Sequence, residues 1–244
     1  MTFHGREQQQ KKLHRVLRKD SLQVILIYGR RRVGKSELIK HCLKSEKGYP
    51  LNYECKQTTE LNNVESLSTL VSEELSLPTL GYSSMETLLE YLFRRAESEK
   101  ITLVLDEYPY LREAVNGIDS ILQALIDRYH ETSTLKLILC GSYVEIMKSL
   151  LARENPLYGR VDLTIDLKPM DYYESALFYP DFTPEDKVRL FSVFGGIPYY
   201  NRQIDQAPTV KENILELMSV PAAPLEIEAT MYPKSEMSII YDAT

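Results

Sequence analysis

Between Gly29 and Ser36 the chain reads Gly-Arg-Arg-Arg-Val-Gly-Lys-Ser, which sets three arginines between two glycines and closes on an ammonium and a hydroxyl. The spacing is G-x-x-x-x-G-K-[ST], and the chemistry it suits is the wrapping of a polyphosphate. Glycines let the backbone curl until successive N–H groups point inward at phosphate oxygens, and the N-terminus of a following helix adds its positive dipole. On this reading Gly29, Arg30, Arg31, Arg32, Val33 and Gly34 form the loop. Lys35 neutralises β- and γ-phosphate oxygens, Ser36 ligates Mg²⁺, and Glu37 opens the helix. The arginine side chains contact phosphate or an adjoining protomer, or, on a plainer reading, they turn to solvent while the main chain does the binding.

A second cluster ends an apolar run. In "ITLVLDEYPYL", residues 101–111, Asp106 and Glu107 stand at the carboxyl end of a strand pattern, where open α/β sheets bind their ligands. Asp106 is placed to hold Mg²⁺, and Glu107 to polarise a water for in-line attack on a γ-phosphate. A strand that simply ends in a polar turn is the alternative. An acidic pair at the strand tip suits hydrolysis, whereas a small-molecule kinase must keep water away from the γ-phosphate. No N-K-x-D or T-K-x-D guanine-reading motif occurs, so ATP is expected rather than GTP.

Three further positions carry two readings each. Ser142 follows the buried-strand pattern "LKLILCG"; it senses the γ-phosphate or holds the attacking water if its strand lies between the other two, or it caps the next helix. Arg160 follows a flexible glycine; it offsets transition-state charge on a phosphate of its own subunit or a neighbour's, or it makes a surface salt bridge. In "FSVFGGIPYY" the Gly195–Gly196 pair is a helix C-cap, or Pro198 and the tyrosines beyond pack against the base as a lid. The histidines, His4, His14, His41 and His130, show no metal-ligand spacing.

These groups need a scaffold that brings strand ends together. Branched apolar runs at 22–28, 101–106, 135–140 and 161–167, with a shorter one at 49–54, read as strands of a parallel sheet covered on both faces. Between them lie amphipathic helices: Met85, Leu88, Leu89, Leu92 and Phe93 keep an i, i+3, i+4, i+7 rhythm, as do Ile118, Ile121, Leu122, Leu125 and Ile126. Ser83 and Glu86 are expected to form a capping box on the first of these. The alternation predicts an α/β fold with a doubly wound, mainly parallel sheet of roughly five strands. Residues 171–219 offer helical stretches without a strand, and Thr183 with Pro184 marks a helix start. The expected organisation is a nucleotide-binding core over 1–168, a small helical lid over 169–219, and a tail or the start of a further C-terminal region over 220–244.

Composition narrows the setting. The chain has 244 residues with 29 Lys plus Arg against 35 Asp plus Glu, a net charge of −6. That balance lacks the bulk basic footprint of a dedicated nucleic-acid binder, although basic residues cluster between Arg6 and Lys19. Three widely spaced cysteines suggest neither a disulfide framework nor a zinc site. Their lack of pairing fits a reducing, cytoplasmic setting, and the polar amino terminus with no membrane-length apolar run points to a soluble protein.

"FHGREQQ", "YGRRRVGKSEL", "LVLDEYPYL", "LILCGSYVEIMKSLL", "NPLYGR", "LKPMDYYESALF" and "FGGIPYY", in this order, resemble the predominantly archaeal ATPase family of P-loop NTPases, related to the AAA+ and STAND branches. The likeness covers residues 1 to about 205. It implies an ATP-binding core with a helical lid and Mg²⁺ as cofactor. It also implies that Gly5 and Arg6 lie near the adenine, that Ser142 takes the first sensor position, and that Arg160 matches the family's arginine after Pro-Leu-Tyr-Gly. The chain carries no arginine directly after the glycine pair, where an AAA+ second sensor would place one. The partners expected are ATP and either a second copy of the chain or another protein. DNA is a candidate that the net charge does not support, and no membrane is expected.

Overall fold

In the computed structural model, which describes residues 3–78 and 81–219, the chain forms two compact units. Among the described residues, the larger is Glu7–Arg31 with Lys35–Leu167; the other gathers 3–6, the short piece Arg32–Gly34 and 168–219.

The larger unit is built on β1 (Gln23–Tyr28), β2 (Tyr49–Glu54), β3 (Ile101–Asp106), β4 (Lys136–Gly141) and β5 (Leu163–Asp166). All pairings are parallel, and the strand order is β2-β3-β4-β1-β5. β1 and β4 are buried at every position, which is what unbroken apolar runs require: no face of such a strand can meet water without losing its hydrophobic stabilisation. β2 is an edge strand whose burial alternates, and it tolerates Pro50, which lacks a donor for a second ladder.

Helices α1 (Glu7–Leu17), α2 (Lys35–Leu43), α3 (Glu60–Glu74), α4 (Met85–Arg95), α5 (Tyr108–Ala114), α6 (Ile118–Tyr129) and α7 (Val144–Ser149) complete this unit. The stripes read from the sequence are the buried ones: Leu88, Leu89, Leu92 and Phe93 on α4, and Leu122, Leu125 and Ile126 on α6. Each such side chain contributes about 2 kcal/mol by leaving water. The start of α4 differs from expectation by one residue. Its N-cap is Ser84, whose hydroxyl accepts from Thr87 N–H at 3.2 Å while the Thr87 hydroxyl accepts from Ser84 N–H at 3.3 Å. Met85 is fully buried, and this anchor sets the helix phase one position later than a box of Ser83 with Glu86 would.

The second unit is helical among the described residues: α8 (Tyr172–Ala176), α9 (Pro184–Phe194), α10 (Pro198–Asn201), α11 (Val210–Ile214) and a π-helical turn (Leu215–Ser219). Its core is Tyr179, Leu190, Phe194, Ile204 and Leu217. Thr183 caps α9 by accepting from Asp186 N–H at 3.2 Å, with Pro184 opening the helix. Gly195 ends α9 at φ 62°, ψ −161°, a positive-φ conformation that favours glycine. Gly196 serves a different need, since a Cβ there would stand 1.8 Å from the Met170 carbonyl oxygen. That close approach lets the Gly196 carbonyl accept from Met170 N–H at 2.7 Å. The expected tail, 220–244, lies outside the described residues. Among the described residues, no helix is long and apolar enough to cross a membrane.

Candidate functional site

The carboxyl ends of β1, β4 and β3 stand side by side, and each delivers one part of a polar run. After β1 the chain turns through Gly29–Gly34 into α2, whose first residues are Lys35 and Ser36. Gly34 takes φ 91° and Arg32 φ 68°, so positive-φ residues interrupt the turn, the kind of backbone from which anion-binding nests are built. Lys35 is 6% exposed, and its ammonium donates to the Gly29 and Arg30 carbonyls at 2.9 and 3.0 Å. Those two bonds hold the charge over the loop and use two of its three donors.

Ser36 Oγ donates to Asp106 Oδ2 at 2.5 Å. The other oxygen, Asp106 Oδ1, accepts from the Glu107 N–H at 3.0 Å. Glu107 itself lies in the left-handed region (φ 52°, ψ 44°) at the joint between β3 and α5. Its carboxylate accepts from Ser142 Oγ at 2.9 and 3.0 Å and from Ser142 N–H at 3.2 Å. Ser142 follows β4, the strand that lies between β3 and β1. Its hydroxyl thus faces Glu107 and is not a helix cap; the N-cap of α7 is Tyr143, with no side-chain bond.

Two cysteines border the acidic pair. Cys140 is fully buried, and burial, with Asp106 beside it, pushes its thiol well above the ordinary range; it bonds Asp106 as a neutral thiol. Cys55 is raised as well, first by burial and then by Asp106 and Glu107. Neither adds a negative charge to the carboxylates they adjoin.

The remaining predicted residues fall into separate places. Arg31 stands 5.9 Å from the centre of the Tyr143 ring in the larger unit. Arg30 and Glu37 are exposed. Within the second unit, the Arg32 guanidinium stacks 4.2 Å over Tyr199, Val33 is fully buried, and a Cβ on Gly34 would stand 3.8 Å from Pro198 Cγ. Arg6, also in this unit, donates to the Val33 carbonyl at 3.3 Å, while its backbone N–H meets Glu174 Oε1 at 2.6 Å. Burial lowers the Arg6 pKa, opposed by Glu174 and Asp171, and its buried Nε has no partner. The Arg6 side chain thus holds the main chain at Val33, a contact that sequence reasoning did not assign.

Arg160 is not brought to this cluster. It precedes β5, and Asp162 N–H bonds the Val24 carbonyl near the start of β1, so the length of β1 separates Arg160 from its own phosphate loop. Six residues of strand span about 20 Å. The guanidinium instead binds Asp127 of α6 through both oxygens, at 2.7 Å each, which corrects the expectation that it reaches a phosphate of its own subunit. Sequence reasoning also missed Glu174. Its place in "DYYE", three residues after the N-cap Asp171, marks a helix start but says nothing of a partner 168 residues away. Among the described residues, no group of three or more His, Cys, Asp or Glu side chains is disposed to hold a metal ion.

A family of ATPase domains predominantly from Archaea matches residues 3–204. A relative from Methanocaldococcus jannaschii, itself uncharacterised, is 29% identical over 204 residues, covering 83% of this chain and 44% of its own length. The chain therefore spans less than half of that relative. Among solved structures, the Walker-type ATPase PABY2304 of Pyrococcus abyssi superposes with a TM-score of 0.64 at 19% identity, covering 99% of this chain and 77% of that one. The Aeropyrum pernix ORC2 protein, solved as ADPNP–ADP complexes, gives 0.62 at 16%, covering 94% and 64%. Drosophila ORC bound to DNA gives 0.61 at 13%, covering 96% and 66%. At these identities the likeness is one of fold, that of P-loop NTPases.

Proposed function

Because the chain belongs to the family of ATPase domains found predominantly in Archaea, we propose that it binds ATP at the Gly29–Ser36 loop and hydrolyses the β–γ phosphoanhydride. The observation that carries this reading is the continuous run Ser36–Asp106–Glu107–Ser142 at the tips of three neighbouring strands. The donor set fits the ligands it would take. Loop N–H groups and the remaining Lys35 donor suit phosphate oxygens, and the Ser36 hydroxyl with the Asp106 carboxylate offers hard oxygen ligands of the kind Mg²⁺ prefers. One carboxylate and one hydroxyl suffice there, since this ion keeps waters and takes the rest of its shell from the substrate phosphates. Bound Mg²⁺ would supply neutralisation of the charge that develops on the β- and γ-phosphate oxygens.

The chain's own groups account for the rest. Glu107 takes a proton from water as the water oxygen bonds the γ-phosphorus and the bond to the β–γ bridging oxygen breaks. Ser142 Oγ and N–H hold the Glu107 carboxylate at the tip of β4. Coupling of nucleotide state to the helical unit is supported by the loop itself, whose residues Arg32–Gly34 pack as part of that unit. The test is single-turnover phosphate release with protein in excess over ATP, with and without Mg²⁺. Release that stops on chelation supports the reading. Tight nucleotide binding without release would leave a non-hydrolysing switch module, and no binding heat at all would remove the loop from the function.

A further inference from the structure

Behind Glu107 lies a buried polar cluster that the proposed chemistry does not use. Tyr108, the next residue, is fully buried, and its hydroxyl donates to Asp119 Oδ1 of α6 at 2.6 Å. Asp119 Oδ2 receives two more donors: Arg112, one turn along α5, at 2.9 Å, and the Asn155 side-chain amide at 2.8 Å. Burial, then Asp119, raises the Tyr108 pKa well above the usual phenol range, so the hydroxyl remains a donor.

Two features tie this cluster to the site. Glu107 is a non-glycine residue in the left-handed region, a conformation that costs about 1–3 kcal/mol and persists only when the surroundings fix it. Glu107 is itself the N-cap of α5 and makes no capping bond to the helix, its carboxylate being turned to Ser142, so the start of α5 is fixed from the helix side by the residues that follow. The second feature is the close approach of α5 to β4: a Cβ on Gly141 would stand 2.8 Å from Pro109 Cδ. The first turn of α5 is thereby pressed to the strand end that carries Ser142.

The geometry points to Asp119 as the positioning residue of the acidic pair: by accepting from Tyr108, Arg112 and Asn155 it locks the start of α5, and so holds Glu107 where its carboxylate meets Ser142. The segment "NPLYGR" gains a role with it. Asn155 Oδ1 accepts from Leu157 N–H at 2.8 Å, and Arg160 grips Asp127, so the segment fastens to α6 at both Asp119 and Asp127. The effect on rate rests on the hydrolysis proposed above; the effect on geometry does not.

Tyr108→Phe tests this, because it removes one hydroxyl and keeps the ring. Amide hydrogen exchange at Ser142, whose N–H the Glu107 carboxylate accepts, reports the position of Glu107 without any turnover. The expected result is exchange at Ser142 about tenfold faster, with the β1 amides unchanged. Nucleotide affinity stays within about twofold while phosphate release slows about tenfold, and the substitution adds nothing to the loss caused by Glu107→Gln. Asp119→Asn, of the same shape without the charge, shifts Ser142 in the same direction. Exchange at Ser142 equal to wild type in folded variants overturns the inference, as does acceleration spread evenly over the sheet, which marks mere destabilisation. A wild-type protein that releases no phosphate defeats the hydrolysis reading alone, and the Ser142 comparison still decides this one.

Discussion

Replacing Glu107 by Gln separates the chemical step from everything that holds the nucleotide. The two side chains have the same length, and the amide oxygen of Gln can still accept from Ser142 N–H, which Glu107 meets at 3.2 Å. The left-handed backbone is equally strained with either residue, so the joint between β3 and α5 has no new reason to move. Lys35 with its two loop carbonyls and Ser36 with Asp106 are untouched. Nucleotide affinity is therefore expected within about twofold of wild type, since no binding contact is lost. What disappears is the group that accepts a proton from water, and general-base catalysis contributes on the order of 10²–10⁴ in rate. That corresponds to about 3–5 kcal/mol of transition-state stabilisation. The assay is quenched single-turnover phosphate release with protein in excess, paired with titration calorimetry of the same variant. A release rate within about threefold of wild type, at unchanged affinity, would refute the assignment of Glu107 as the base.

Three more outcomes follow from the geometry. Lys35→Ala removes the ammonium that the Gly29 and Arg30 carbonyls hold over the loop; calorimetry should show adenine-nucleotide binding weakened by about 100-fold or more, because a charge-assisted bond and its long-range attraction go together. Gly196→Ala drives a methyl group to 1.8 Å from the Met170 carbonyl, and since backbone cannot yield as a side chain would, urea unfolding should show a loss of about 3 kcal/mol or more. Lys136 is pushed down to about 8 by burial, with nearby Lys100 and Lys19 adding to it and Asp20 and Asp162 opposing. Its folded pKa lies below the unfolded one, so between about pH 8 and 10.5 the unfolded chain binds more protons and stability rises with pH. Denaturation across that window should show wild type gaining up to ~3 kcal/mol relative to Lys136→Met, and a flat difference would count against the buried ammonium.

The candidate site was legible where its signal was local. The phosphate loop is contiguous, and its glycines, lysine and serine sit at a spacing that the main chain alone can satisfy. The five strands and the buried stripes of α4 and α6 follow from periodicity, because the same residues that define the pattern are the ones that leave water. Thr183 with Pro184 was equally plain, since a cap bonds three residues ahead. The box on α4 slipped by one residue because Ser83 and Ser84 offer the same hydroxyl, and only the burial of Met85 chooses between them.

Interactions between distant parts of the chain were not legible. Ser142 read as a γ-phosphate or water contact or as a helix cap, and its partner Glu107 was in neither reading, because only the placing of β4 between β3 and β1 brings the two together. Arg160 looked apt for a phosphate, but the register of β5 on β1 carries it to the opposite end of the sheet. Arg6 and Glu174 meet across 168 residues, and Asp119 gathers donors from α5 and from the loop before β5. Period and spacing report which face of an element avoids water, a property each element carries on its own. Which carboxylate meets which donor depends on strand order and on how closely two backbones approach, and those emerge when the whole sheet and its helices pack at once.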